Sequence, residues 1–365
     1  MFHNSKRYMG IFFVVLLFSI LTVSTANAEE NENTNVEEQN QSVVSSESNI
    51  VLNDYMKNGY FIEASDFNIT SEREVFDING INIAKYYVIE DLSGQEYFAV
   101  ISNNQENSTV LLGGEGIPDV FELGDENYYY LGGYSIVSAD DTNQIIDYIK
   151  SKDENLSTYE IKEDLNIQLM NSKAAGDGYG SALLSSPTFS QYDKDVKSSY
   201  RNSACGPTTI AVILQYWHDK KLKSKLQVFN SGYSTKGAFI NSMYANRGGT
   251  SYGMSVNGVR SGLENEAIAR GYSATTSSFN NFYSYKTEID NNRPLAIKFD
   301  KYFTLFEPNA DYAYDYHWTP GLGYIYASTG TLLRVQTLGT NSTIRDINYN
   351  VNSAIISMVS FSINN

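Results

Sequence analysis

Between Ile83 and Leu112 the chain repeats short runs dominated by apolar and aromatic residues: Ile83-Ala84-Lys85-Tyr86-Tyr87-Val88-Ile89, Tyr97-Phe98-Ala99-Val100-Ile101 and Thr109-Val110-Leu111-Leu112. Side chains of this kind suit a pleated, half-buried surface, and the Asn, Gly and Asp clusters between the runs supply turns. The pattern predicts an antiparallel sheet. From Asp140 to Ser151 the period changes. Ile145, Ile146 and Ile149 recur at helical spacing, with Asp140, Asp141 or Thr142 available as the cap. Residues 50–164 therefore read as an α+β unit with one helix.

In the second half helical patterns come first. Cys205 to Lys220 carries Ile210, Ala211, Ile213, Leu214, Tyr216 and Trp217 around most of its circumference, the mark of a buried helix, and Pro207 fits its first turn. Shorter helices are predicted at Gly237–Asn246, Val256–Arg270 and Phe282–Asn291. Strand patterns follow at Pro294–Phe299, Tyr316–Tyr326, Leu332–Leu338 and Ala354–Phe361. Residues 181–365 thus read as a second α+β unit, with helices packed on a sheet. The stretch 165–180, rich in Asn, Ser, Lys, Ala and Gly, reads as a linker open to proteolysis, most exposed at Lys173-Ala174-Ala175-Gly176.

The first 28 residues change the setting. Lys6 and Arg7 precede an apolar stretch from Ile11 to Val23, and Ala26-Asn27-Ala28 follows as a small-residue cleavage site. That is a secretory signal, the alternative being a retained anchor. The exported chain is expected to begin near Glu29 and to be extracellular, with no stable membrane association. Residues 29–49, mostly Glu, Asn, Gln and Ser, read as a disordered acidic leader. A formal net charge of −16, with no basic run after the signal, disfavours nucleic acid as a partner.

Cys205 is the chain's one cysteine, so no internal disulfide can form. It stands at the start of the long predicted helix, where unpaired backbone N–H groups favour the thiolate. The alternative reading is a small buried hydrophobe. A cysteine nucleophile needs an imidazole within reach. Of three histidines, His3 leaves with the signal. His218 lies thirteen residues along the same helix, roughly 20 Å away at 1.5 Å per residue. His317, at the start of the strand pattern His317-Trp318-Thr319-Pro320-Gly321-Leu322-Gly323-Tyr324, is the remaining candidate base. An ordinary strand histidine is the alternative.

Three segments resemble the papain-like superfamily, specifically its C39-like branch of bacterial cysteine peptidases. Ala204-Cys205-Gly206-Pro207-Thr208-Thr209-Ile210 resembles the nucleophile helix, Asn292-Arg293-Pro294-Leu295-Ala296-Ile297 the strand that follows in the family's order, and His317 to Tyr324 the histidine strand. The resemblance implies a papain-like domain over 181–365 that hydrolyses peptide bonds through a Cys205 thiolate with His317 as general base. It assigns Gln336 as the residue orienting the imidazole, with Asn341 and Asp346 as alternatives. It also assigns Gln191 as the donor to the oxyanion. Residues 50–164 resemble the inhibitory prodomains of streptopain-like enzymes, implying a zymogen whose own N-terminal domain is an intramolecular inhibitor; a separate binding module is the alternative. No cofactor is implied, the substrate is a protein or peptide, and a monomer is expected.

Other chemistries find little support. Gly253-Met254-Ser255-Val256-Asn257 lacks the second glycine of a nucleophile elbow. One cysteine and two histidines after the signal are too few for structural zinc. Asp311 to Asp315 lacks the spacing of a calcium loop. Two competitors to the peptidase reading keep the same scaffold: a peptidoglycan amidase or endopeptidase using the same pair, and an inactive secreted binding protein.

Overall fold

The computed structural model describes residues 37–103, 108–118, 127–133, 135–152, 157–159, 162, 180–229, 232–251, 253–300, 317–327 and 330–364. The signal, the linker up to residue 179 and the Asp311–Asp315 cluster lie outside the described residues. Residues 43–365 make one compact unit; of the unit before it, only the opening residues of the first helix are described.

Among the described residues thirteen strands join in a single sheet. β1 (Phe67–Phe76), β2 (Asn82–Asp91), β3 (Glu96–Ser102) and β4 (Val110–Glu115) form an antiparallel meander. β5 (Asn127–Gly132) and β6 (Ser135–Ala139) extend it past β1 through a parallel β1–β5 pair. The other strands are β7 (Gly180–Leu183), β8 (Ser273–Phe279), β9 (Leu295–Phe299), β10 (His317–Ala327), β11 (Gly330–Gln336), β12 (Ile344–Asn348) and β13 (Ile356–Asn364). They run in the order β12-β11-β10-β9-β13-β8, with β7 beside the second half of β10. A Cβ on Gly323 would lie 2.1 Å from the Ala182 carbonyl oxygen, so glycine is what lets β7 come in there.

β4 joins the two halves by pairing with β12, Arg345 with Gly114 through Ile347 with Leu112. The expected boundary at 164/181 therefore does not separate two bodies. Phe98, Val100, Leu112 and Tyr130 belong to the same hydrophobic core as Ile210, Trp318 and Val335. Each half ends in a strand edge, and an open edge is a liability that the pairing removes.

The helices fall close to the sequence pattern. α2 (Thr142–Lys152) is capped by Asp141, whose Oδ1 accepts from the Asn143 and Gln144 N–H groups. α3 (Ser198–Arg201) is short, and α4 (Cys205–Lys221) is the long buried helix. α5 (Lys236–Asn246), α6 (Val256–Ala269), α7 (Phe282–Asp290) and the single turn α8 (Tyr349–Asn352) complete the set.

Two expectations need correcting at the N-terminus. The leader does not stay disordered to residue 49: α1 runs from Glu37 to Tyr60, so the first unit has a helix before its sheet as well as α2 after it. Val51, Leu52, Tyr55 and Met56 are buried against Tyr87, Ile325 and Leu332. Once that face is docked, extending the helix backwards adds a hydrogen bond for each residue fixed.

Candidate active site

α4 opens on Ala204, which offers no side-chain cap. The first N–H with a backbone partner in this turn is that of Thr208, which donates to the Ala204 carbonyl at 2.9 Å; the Thr208 hydroxyl donates to the same oxygen. Pro207 has no N–H to give. The Cys205 and Gly206 N–H groups are thus left at the positive end of the helix. Packing is tight at Gly206, where a Cβ would sit 3.0 Å from the Met254 side chain. Met254 in turn accepts a 2.7 Å hydrogen bond from the Trp318 indole at its carbonyl. Nucleophile helix and histidine strand are clamped through this one residue.

Cys205 is buried, and burial pushes its thiol pKa up. Against this, the backbone N–H groups of Trp318, Gly206 and Cys205 itself face the sulfur and favour the thiolate, as does the Lys298 ammonium. The Trp318 contact fixes the geometry: the sulfur meets β10 at the residue next to His317. Burial pulls His317 down to about 3. Burial thus favours the neutral form of both the Cys205 thiol and the His317 imidazole.

Gln191 is buried behind this junction. Its N–H is held by the Leu338 carbonyl, and its Nε2 donates to the Arg201 carbonyl at 2.9 Å and to the Tyr192 hydroxyl at 3.2 Å. Its Oε1 is buried and, among the described residues, has no hydrogen-bond partner. Tyr200 and Tyr244 stack 4.0 Å apart beside the helix start, and Tyr244 is linked to the Ser203 hydroxyl at 2.8 Å.

The proposed orienting residues fare differently. Gln336 is buried, but its Oε1 accepts from Ser186 and its Nε2 donates to the Pro187 carbonyl. One step along from the Gly321–Val335 pair, it comes to stand by Pro320, on the face alternate to His317. Gln336 therefore anchors the 186–187 segment. Asp346 is excluded outright: it is buried at the far side of β11, held by Arg334, Tyr55 and Tyr60. Asn341 is exposed on the turn after β11. His218, near the other end of α4, bonds Asp219 at 2.7 Å and takes no part.

Sequence reasoning missed Met254 and Lys298. A charged residue inside the otherwise apolar Leu295-Ala296-Ile297-Lys298-Phe299 was the available signal for the lysine. In the structure its Nζ pairs with Asp300, whose other oxygen accepts from Ser357.

A cysteine at the mouth of a buried helix, seated against the first residues of a histidine-led strand in an antiparallel run of sheet, is the layout of an α+β thiol hydrolase. Sequence comparison makes the likeness specific: residues 183–342 match the model described as the Peptidase_C39 like family, which supports a cysteine peptidase scaffold for this part of the chain. No curated protein sequence matches the chain. The matched region contains Gln191, Cys205, His317 and Gln336, and stops short of β12 and β13.

Proposed function

We propose that the chain is the precursor of a secreted cysteine peptidase in which Cys205 is the nucleophile, His317 the general base and Gln191 the oxyanion donor. His317 takes the thiol proton as the sulfur attacks a peptide carbonyl. The Cys205 N–H, joined by a rotated Gln191 amide, receives the oxyanion. As the C–N bond breaks, the imidazolium returns its proton to the departing amine. Water, deprotonated by His317, then splits the thioester to release the acid and the thiol. Gln336, engaged by Ser186 and the Pro187 carbonyl, is not the residue that orients the imidazole in this reading.

The observation that carries this reading is the seating of the Cys205 sulfur on the Trp318 N–H at the helix mouth. The neutral thiol and imidazole and the turned-away Gln191 amide support a latent precursor, which the uncut joint to the N-terminal block keeps so. Purified exported chain is to be incubated, analysed for new N-termini, and labelled with iodoacetamide at neutral pH. A cut within 165–180 that Cys205→Ser abolishes, followed by fast labelling that His317→Ala removes, is expected. A chain that stays uncut and labels only at alkaline pH would leave a binding protein on a peptidase scaffold.

A further inference from the structure

The junction between the two halves carries more than a strand pair. Asp346 of β12 is fully buried. Its Oδ1 accepts from Arg334 Nε at 3.0 Å, and its Oδ2 accepts from the Tyr55 and Tyr60 hydroxyls of α1 at 2.8 and 2.7 Å. The Arg334 guanidinium also lies over the Tyr60 ring at 4.8 Å. One buried acid of the C-terminal half is thus neutralised and hydrogen-bonded jointly by its own half and by the N-terminal helix. Separating the halves would strip two donors from an interior carboxylate, which is far costlier than parting solvated surfaces.

Gly113 and Gly114 show how closely the surfaces are cut to each other. A Cβ on Gly113 would stand 2.2 Å from the Tyr55 hydroxyl, and one on Gly114 would stand 2.7 Å from the Ile344 carbonyl oxygen. Further along, Asn348 donates to the Val110 carbonyl at 2.8 Å, and Gly133 N–H donates to Asn352 at 2.7 Å. Apolar burial runs through the same contact, with Tyr55 and Met56 packed in one cluster with Ile325, Ala327 and Leu332. Most of this receiving surface lies on β11 and on β12, and β12 falls outside the family match.

We propose that the β12 edge, with Asp346 and the outer ends of β10 and β11, is a docking surface whose permanent occupant is the chain's own N-terminal block. Cutting the 165–179 joint leaves a two-chain protein in which residues before the cut remain bound. Gly180–Leu183 is already a strand of the sheet, so the cut falls before Gly180. Processing then frees chain ends near β7, and the block stays. Only the place of the cut is taken from the precursor reading.

The test uses the exported full chain with Cys205→Ser and a sequence-specific protease site placed between Ala174 and Ala175. Folding precedes the cut, and no thiol chemistry is involved, so the outcome is independent of whether Cys205 is a nucleophile. After complete cleavage, judged on a denaturing gel, size exclusion at neutral pH is expected to give one peak at the uncut mass containing both fragments. Two separate peaks in native buffer overturn the proposal. In the cut protein, Tyr55→Phe with Tyr60→Phe is expected to lower the urea concentration at which the fragments part. An unchanged midpoint would overturn the part assigned to the Asp346 cluster.

Discussion

Two buried polar regions of this molecule are built on opposite terms. At the seam, both oxygens of Asp346 are engaged, three donors converge on them, and a cation covers one of the rings. At the start of α4, Gln191 turns its donors towards Arg201 and Tyr192 and leaves Oε1 without a partner among the described residues, while burial pushes the Cys205 thiol up and His317 down. A satisfied interior network holds parts together; an under-satisfied one is held in place by its surroundings and keeps its groups for use. The contrast sets a satisfied seam against the under-satisfied region to which the proposed function gives the chemistry.

The sharpest way to break that comparison is to remove one acceptor from each region. Asp346→Ala strands the Arg334 cation and two tyrosine hydroxyls in the interior. Breaking a buried pair in this way costs about 3–5 kcal/mol. Gln191→Leu gives up two donor contacts but also an orphaned acceptor, and its effect on folding is expected to stay within about 1 kcal/mol. Urea unfolding of both variants decides the matter. Equal losses would mean that the cleft is as much a structural device as the seam.

The regions also differed in how far they could be read from the chain. Cys205 and His317 were legible because reactive residue types are few here, one cysteine and two histidines beyond the signal, and because helix-start and strand-start patterns placed each of them. α2 and the helices α4 to α7 were legible for a related reason: their apolar period is local, and caps such as Asp141 mark their ends. The seam was illegible. Nothing local distinguishes Asp346 from a solvated strand carboxylate, and only the long-range pairing of β12 with β4 and the docking of α1 bury it. The resemblance offered Asp346 a role at the imidazole, and tertiary structure gave it another. β8, with Ser273-Ala274-Thr275-Thr276-Ser277-Ser278, was missed because its polar composition hides a strand formed by pairing along β13. Gly113 and Gly114 looked like ordinary turn residues, and what requires them is the close approach of Tyr55 and Ile344.

Acid sharpens the comparison next. His317 titrates near 3 when folded and at its ordinary 6.5 when unfolded. Above pH 6.5 both states leave it neutral, and its site contributes full stability. Between 6.5 and about 3 the unfolded chain binds a proton that the folded chain refuses, so stability falls as pH falls, by about 1.4 kcal/mol per unit. Between pH 7 and pH 4.5 this one group is expected to cost about 2–3 kcal/mol. His317→Asn should remove that share of the slope in urea titrations at the two pH values, whereas seam variants such as Tyr55→Phe should keep it. Parallel slopes for parent and His317→Asn would show that the ring is not dry.

The smallest effect tests the cleft's own electrostatics. Lys298 stands opposite Trp318 in the β9–β10 ladder and lowers the Cys205 pKa, with Asp300 drawing on the same ammonium. Arg247, which pairs with Glu266, approaches Gly262 near Met254. Replacing Lys298 by Met removes the cation and keeps the length of the side chain. The thiol pKa is then expected to rise, because a cation that favours the thiolate is gone. The pH dependence of iodoacetamide alkylation measures it, and Lys298→Arg should restore the parent profile. Superimposable profiles for Lys298→Met and the parent would confine Lys298 to its ion pair with Asp300, leaving the thiolate to the backbone N–H groups and His317.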